Sequence, residues 1–227
     1  MELNADFDKR ALVHAADEPW VASPMKGVER RMLDRIGGEV ARATSIVRYA
    51  EGSHFSPHVH HGGEEFLVLD GVFQDEHGDY PAGSYVRNPP RSRHTPGAAA
   101  GCLLFVKLWQ FDPEDPTFVR LDSAKMPRLP APGRPGVDLV PLFKDEREEV
   151  RLEHWAPCAR IELDLPGGLE LLLLEGGLTW SGETLKPHSW ARLPKGDRLV
   201  AEAGAEGAKL WVKEGHLRQK PQAPDPD

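Results

Sequence analysis

The chain has 227 residues, 40% hydrophobic and 28% charged, the profile of a soluble globular protein of one to two domains. With 36 acidic against 28 basic side chains and a net charge of −8, it lacks the excess of Lys and Arg that a broad nucleic-acid surface needs. No apolar run approaches the roughly 20 residues that span a bilayer, and the opening MELNADFDKR has no basic segment followed by an apolar one. The expectation is a cytoplasmic protein with neither nucleic acid nor membrane as partner.

In chain order, residues 1–20 read as an N-terminal extension. Glu29 to Ile36 suits a brief helical turn or an edge strand. Short apolar runs follow, such as Glu65 to Leu69, Cys102 to Trp109 and Leu171 to Leu174, punctuated by 22 glycines and 21 prolines. Short runs between turn residues read as β-strands of a sandwich or barrel, with little helix. Residues 112–135 carry the proline-rich composition of a linker, and 218–227 that of a disordered tail. The two cysteines, Cys102 and Cys158, lie far apart in apolar surroundings and read as buried, inert thiols.

The segments on either side of the linker repeat one another. Val47-Arg48-Tyr49-Ala50 is echoed by Glu153-His154-Trp155-Ala156, and GGEEFLVLDGVF (62–73) by GGLELLLLEGGL (167–178). Ser84-Tyr85-Val86-Arg87-Asn88-Pro89 is echoed by Ser189-Trp190-Ala191-Arg192-Leu193-Pro194. The last two pairs share an offset of 105 residues. Ordered repetition of this kind predicts a duplicated all-β domain, with barrels at 21–111 and 136–217.

Chemistry concentrates in the first half. Of ten histidines, His54, His58, His60, His61 and His77 fall close together. His58 and His60, two apart on a strand, project from one face and can approach a single ion. Glu64 shares their parity beyond the Gly62-Gly63 bend, and His94 could reach the same point from the next antiparallel strand. Three imidazoles and a carboxylate make a mixed N/O ligand set suited to one divalent ion, such as Zn, Fe, Mn, Ni or Cu. Glu65, of opposite parity, is expected in a solvent or salt-bridge role. His54 and His61 fit surface or supporting places, His77 a hairpin turn in Asp75-Glu76-His77-Gly78-Asp79, and His14, His154, His188 and His216 carry no signal.

The run G-x5-H-x-H-x3-E-x6-G, followed by P-x4-H, resembles the two motifs of the cupin superfamily. The stretch HVHHGGEEFLVLDGVFQDEHGDYPAGSYVRNPPRSRHTPG resembles the cupin domain of ChrR-type anti-sigma factors. The resemblance implies two tandem jelly-roll (double-stranded β-helix, RmlC-like) barrels, the first holding an ion through His58, His60, Glu64 and His94. Arg91 departs from it, standing where the cupin pattern has glycine. At the offset of 105 the four ligand positions become Leu163, Leu165, Leu169 and Leu199, so the second barrel is expected to be packed, degenerate and metal-free.

Two functions follow from the resemblance. One is a stress-linked regulatory or small-ligand-sensing bicupin; its His-x3-Cys-x2-Cys zinc pattern is absent, which makes a sigma factor an unexpected partner. The other is a mononuclear non-haem dioxygenase of the kind that cleaves diketones or hydroxyaryl ketones, with Phe55, Phe66, Val68, Phe73, Tyr85 and Phe105 as candidate pocket residues. A purely structural role for the metal is a third reading. A small-molecule ligand and a homodimer are compatible with each.

Overall fold

The computed structural model describes residues 1–38 and 40–224. It is all-β with cupin-like jelly-roll sheets: the single helical element among the described residues is a 3-10 turn at Ser123–Lys125. Among the described residues no helix is long and apolar enough to cross a membrane. Val28–Gly37, the segment left between helical turn and edge strand, is a ten-residue strand paired on both sides. The tail expected at 218–227 falls partly outside the described residues, at 225–227.

The chain forms two compact units. The first takes Met1–Ala5 and Glu18–Lys125 with the chain from Gln222, and the second Asp6–Asp17 and Met126–Pro221. In the first, the main sheet runs Glu2–Leu3, Val28–Gly37, Ala41–Tyr49, Cys102–Leu108, Glu64–Asp75, Ser84–Asn88, Val119–Asp122. A separate two-stranded sheet joins His58–His60 to Ser92–His94. Period-2 alternation sends Phe66 and Val68 to one face, where they meet Phe73, Tyr80, Val86, Leu104 and Val106 in a closed apolar core.

Glu65, Arg87 and Lys107 occupy the other face as one cross-strand row: Glu65 pairs with Arg87 on one side and Lys107 on the other. All three are buried. The Tyr85 hydroxyl donates to Glu65 at 2.8 Å, Arg87 lies 3.7 Å from Glu65 and 2.8 Å from Asp115, and Lys107 donates to Thr44 at 2.9 Å. Buried charges of both signs are tolerated because each has an opposite charge or a hydrogen-bond acceptor beside it.

The second unit repeats this register. Tyr85 opposes Leu67 and Trp190 opposes Leu172; Arg87 opposes Glu65 and Arg192 opposes Glu170, all 105 residues on. Lys213 faces Glu170 as Lys107 faces Glu65. Even the bulge recurs, between Val68 and Asp70 in one unit and between Leu173 and Glu175 in the other. The strand flanking Ser84–Asn88 is Val119–Asp122, within the proline-rich stretch, whereas Ser189–Leu193 is flanked by Ala11–His14 from near the N-terminus. Arg87 opposes Val119 and Arg192 opposes Ala11, so these two segments hold equivalent places.

Cys102 is buried on a strand, as expected, but Cys158 is exposed. It sits in the turn after Glu149–Trp155 with a φ of 56°, so its apolar neighbours belong to strands that it does not join.

Two residues beyond the bulge, each unit has a glycine in left-handed conformation: Gly71 at φ 73° and Gly176 at φ 77°. A Cβ at Gly71 would meet the Gly101 carbonyl oxygen at 2.3 Å, and one at Gly176 the Gly207 oxygen at 2.1 Å. Gly177, with its nearest neighbour 3.9 Å away, has no such restriction. Gly71→Ala and Gly176→Ala should each destabilise the protein by about 2–3 kcal/mol, while Gly177→Ala is close to neutral, as read from chemical denaturation midpoints.

Candidate metal centre

The site begins with a hairpin-like pairing of two three-residue strands. His94 lies directly opposite His58, and Ser92 opposite His60. Alternation puts His58 and His60 on one face, and antiparallel pairing brings His94 to the same face. Their rings stand 4.8–5.0 Å apart between centroids and 72–77° to one another. One nitrogen from each lies within 4.8 Å of the others, and His60 Nε2 is 2.9 Å from His94 Nε2. That spacing fits donors sharing one ion, whose bonds to imidazole nitrogen run about 2.0–2.1 Å.

Glu64 comes in from the start of the long strand Glu64–Asp75. Its Oε2 lies 3.4 Å from His60 Nε2 and 3.7 Å from His94 Nε2. The bend before it is set by packing: a Cβ on Gly62 would meet the Trp109 ring at 2.1 Å, and one on Gly63, at φ 78°, the Phe111 ring at 2.5 Å. Only glycines let the chain pass under these rings and return the carboxylate to the histidines.

Two neighbours that spacing alone does not reveal complete the arrangement. Asn88 Nδ2 donates to Glu64 Oε2 at 3.2 Å. Asp75 Oδ2 lies 3.5 Å from His94 Nδ1, while the Asp75 Oδ1 atom accepts from the Tyr80 hydroxyl and the His77 backbone N–H. A carboxylate behind an imidazole favours the proton on Nδ1 and leaves Nε2 free to bind an ion. Asp75 stands eleven residues beyond Glu64 on the same strand, past the bulge at Leu69, so no short-range spacing joins it to His94.

Electrostatics prepare the donors. Burial disfavours protonated His60 and holds its pKa below the ordinary imidazole value. For Glu64 burial opposes ionisation, but the surrounding His60 and His94 and the Asn88 hydrogen bond outweigh it and hold the carboxyl below its usual range. His94 moves upward: burial pulls it down, but Asp75 and Glu64 more than compensate. Three imidazoles and an ionised carboxylate are the donor chemistry of a divalent N/O metal site, so the residues present fit the ion that the motif implies.

His58, His60 and Glu64 form part of the wall of a cavity of about 390 Å³. Val28, Val47, Val106 and Leu108 give it apolar sides, and Arg30, Arg35, Tyr49 and His61 polar ones. Of the aromatic and aliphatic residues singled out from sequence, Phe66, Val68 and Phe73 lie in the closed core, with the Phe73 ring 5.8 Å from His94. Phe55 packs edge-on against Tyr49. Tyr85 and Phe105 are fully buried, on strand positions that oppose Leu67. None of the six is among the residues walling this cavity.

Glu65 is buried in its ion-pair row, away from the histidines. His54, His61 and His77 are exposed, the last at the tip of the hairpin between Glu64–Asp75 and Gly78–Pro81. His216, without a sequence signal, forms a buried pair with Glu170 at 2.9 Å.

Arg91 has φ 68°, the left-handed region that glycine occupies without strain, and its exposed side chain lies 3.9 Å from Glu114. Its backbone N–H donates to the His60 carbonyl at 2.8 Å, so this turn ties the two histidine strands together. Arg91→Gly should stabilise the protein by about 0.5–1 kcal/mol, measured by denaturant unfolding. Asp75→Asn should weaken metal affinity by about 10–100-fold, measured by competition with a chromophoric chelator, with the fold unchanged by circular dichroism.

Residues 8–112 match the family described as the ChrR cupin-like domain. Comparison with curated proteins gives no match. Among solved structures, the chain is similar to a candidate dioxygenase from Nostoc punctiforme, with TM-score 0.79 and 16% identity over 97% of this chain and 87% of that one. It is similar to the pirin YhhW of Escherichia coli in complex with nickel(II), with TM-score 0.64 and 14% identity over 91% and 99%. A cupin 2 conserved barrel domain protein from Leptotrichia buccalis gives TM-score 0.57 and 12% identity over 86% and 92%. At these identities the structures speak for the fold. The chain is thus similar to the ChrR cupin-like domain over residues 8–112 and shares the fold of these structures over most of its length.

Proposed function

We propose that the first unit is a mononuclear metal centre that binds a small organic molecule and oxidises it with dioxygen, and that the second is a degenerate, metal-free copy of the same barrel. The observation that carries the reading is the convergence of His58, His60 and Glu64, with His94 beside them, on the wall of a cavity of ligand size. In a purely structural site the donors would be closed off by protein; here three of them border open space.

His58, His60, His94 and Glu64 would hold the ion, and the donor set suits zinc, iron, manganese and nickel. A redox-active ion bound there supplies the capacity to activate dioxygen. The protein's own residues do the rest. Asp75 fixes the orientation of His94, Asn88 fixes Glu64, and the valine and leucine walls exclude water from the ligand. Burial, with Glu64 adding to it, pushes the Tyr49 phenol far above its ordinary pKa, so it stays a neutral donor in the cavity wall.

In the second unit, Leu163 opposes Leu199 as His58 opposes His94. Leu165, Leu169 and Leu199 are buried in the apolar core, each contributing about 2 kcal/mol by burial. Four leucines offer no ligand atom, which supports the metal-free reading of this unit.

A regulatory, ligand-sensing role is the second reading, favoured by the ChrR cupin-like match. Elemental analysis of natively purified protein should give one ion per chain, lost in His58→Ala. Iron(II)-loaded protein should consume oxygen with chelating ligands such as β-diketones, hydroxyaryl ketones or their carboxylate analogues. Two ions per chain would overturn the metal-free second unit, and zinc in the native protein with no oxygen uptake would favour sensing.

A further inference from the structure

We propose that the cavity beside the histidines takes a small organic carboxylate, whose anionic end is bound by Arg30 while its other oxygen donor faces the metal. The inference rests on the reading of this site as metal-dependent and names the class of ligand it receives.

Three observations carry it. The first is the backbone of Val28–Gly37. Arg30 and Arg35 are five residues apart, an odd spacing that puts side chains on opposite faces of an uninterrupted strand. The register against Ala41–Tyr49 shifts between Met32 and Asp34, and this one-residue bulge returns Arg35 to the face that carries Arg30. Both then line the cavity, across from Ala43 and Val47.

The second is the state of Arg30. Its Nε is buried and has no hydrogen-bond partner, and the side chain forms no ion pair among the described residues. A guanidinium N–H that has lost water without gaining an acceptor is costly unless a ligand supplies one. Among the described residues the one carboxylate in the cavity wall, Glu64, is engaged with His60, His94 and Asn88. Arg35 donates to the Gly38 carbonyl, and its like charge beside Arg30 adds to the demand for an anion.

The third is the second unit, where the same bulge falls between Pro141 and Phe143. Arg30, opposite Val47, corresponds to Leu139, opposite Glu153; Arg35, opposite Ala43, corresponds to Lys144, opposite Glu149. There each cation has its acid: Lys144 pairs with Glu149 at 2.6 Å, and Arg151, in place of Ser45, with Glu153 at 2.7 Å and Glu214 at 2.9 Å. In the first unit those acidic positions are Ala43, Val47 and Leu108. Cations facing small neutral residues leave room and charge for an external carboxylate, which a guanidinium recognises through paired N–H donors. The apolar walls suit an alkyl or aryl body of modest size, since about 390 Å³ lies near the lower end of ligand pockets.

Zinc-substituted protein, which cannot oxidise the probe, allows binding to be read by calorimetry. Salicylate, phenylpyruvate and benzoylacetate serve as probes beside their methyl esters. At least one acid should bind at least about tenfold more tightly than its ester, and Arg30→Leu, the residue natural to the second unit, should lose at least about tenfold in affinity for it. Arg30→Lys should restore part of the loss, and zinc content should be the same in all three proteins. Equal affinity for acid and ester, an unchanged Arg30→Leu, or no binding of any acid at millimolar concentration would overturn the proposal. Failure of the metal reading is separately visible: the chain then takes up no zinc, while an Arg30-dependent preference for acid over ester in the metal-free protein still upholds the carboxylate site.

Discussion

The histidine cluster depends on one pairing, that of His58–His60 with Ser92–His94 in a register that sets His94 against His58. Side chains alternate faces along a strand, so a slip of one residue would put Arg93 or Thr95 in the place of His94 and dismantle the cluster. Two local devices hold the register. The Arg91 turn bonds back to the His60 carbonyl, and Gly62-Gly63 passes beneath the rings of Trp109 and Phe111. The donors are therefore fixed by backbone geometry before any ion arrives, and the orienting groups Asp75 and Asn88 refine what the register has set.

Alternation also explains what the sequence made legible. The all-β class, the shared face of His58 and His60 and the leucines that replace the ligands all follow from period-2 reasoning, and the register of the second unit sets Leu163 against Leu199. Reasoning of that kind stops where the period breaks. The segment VERRMLDRIG has polar residues on both faces and a bulge at its centre, so its sequence suits a helical turn as well as an edge strand and does not reveal the common face of Arg30 and Arg35. Asp75 reaches His94 only through the pairing of distant strands. Alternation marks Phe66, Val68 and Phe73 as inward-facing, yet it does not say which end of a barrel is filled and which is open.

The two units separate what the fold needs from what the site needs. The row Arg87–Glu65–Lys107 is repeated as Arg192–Glu170–Lys213, with Tyr85 and Trp190 both donating to the glutamate. Arg87 lies over Phe111 and Arg192 over Phe7, at 4.2 and 3.8 Å from the ring centres. Its presence in a unit whose equivalents of the four candidate ligands are leucines assigns this row to the scaffold. Removing one partner from such a row leaves a buried charge uncompensated, so its members persist together whatever happens to the cavity.

The cavity end shows the opposite behaviour. In the second unit the equivalent cavity, also about 390 Å³, is bordered by Leu139 and Leu163 and by Arg134 and Arg151, which pair with Glu153 and Glu214. The first unit has in the equivalent places Arg30, whose buried Nε lacks an acceptor, and three imidazoles crowded together, arrangements that cost folding free energy. An internally ion-paired solution to the same barrel end stands in the same chain. On the proposed reading, that the first unit forgoes it ties Arg30 and the histidines together as parts of one binding site.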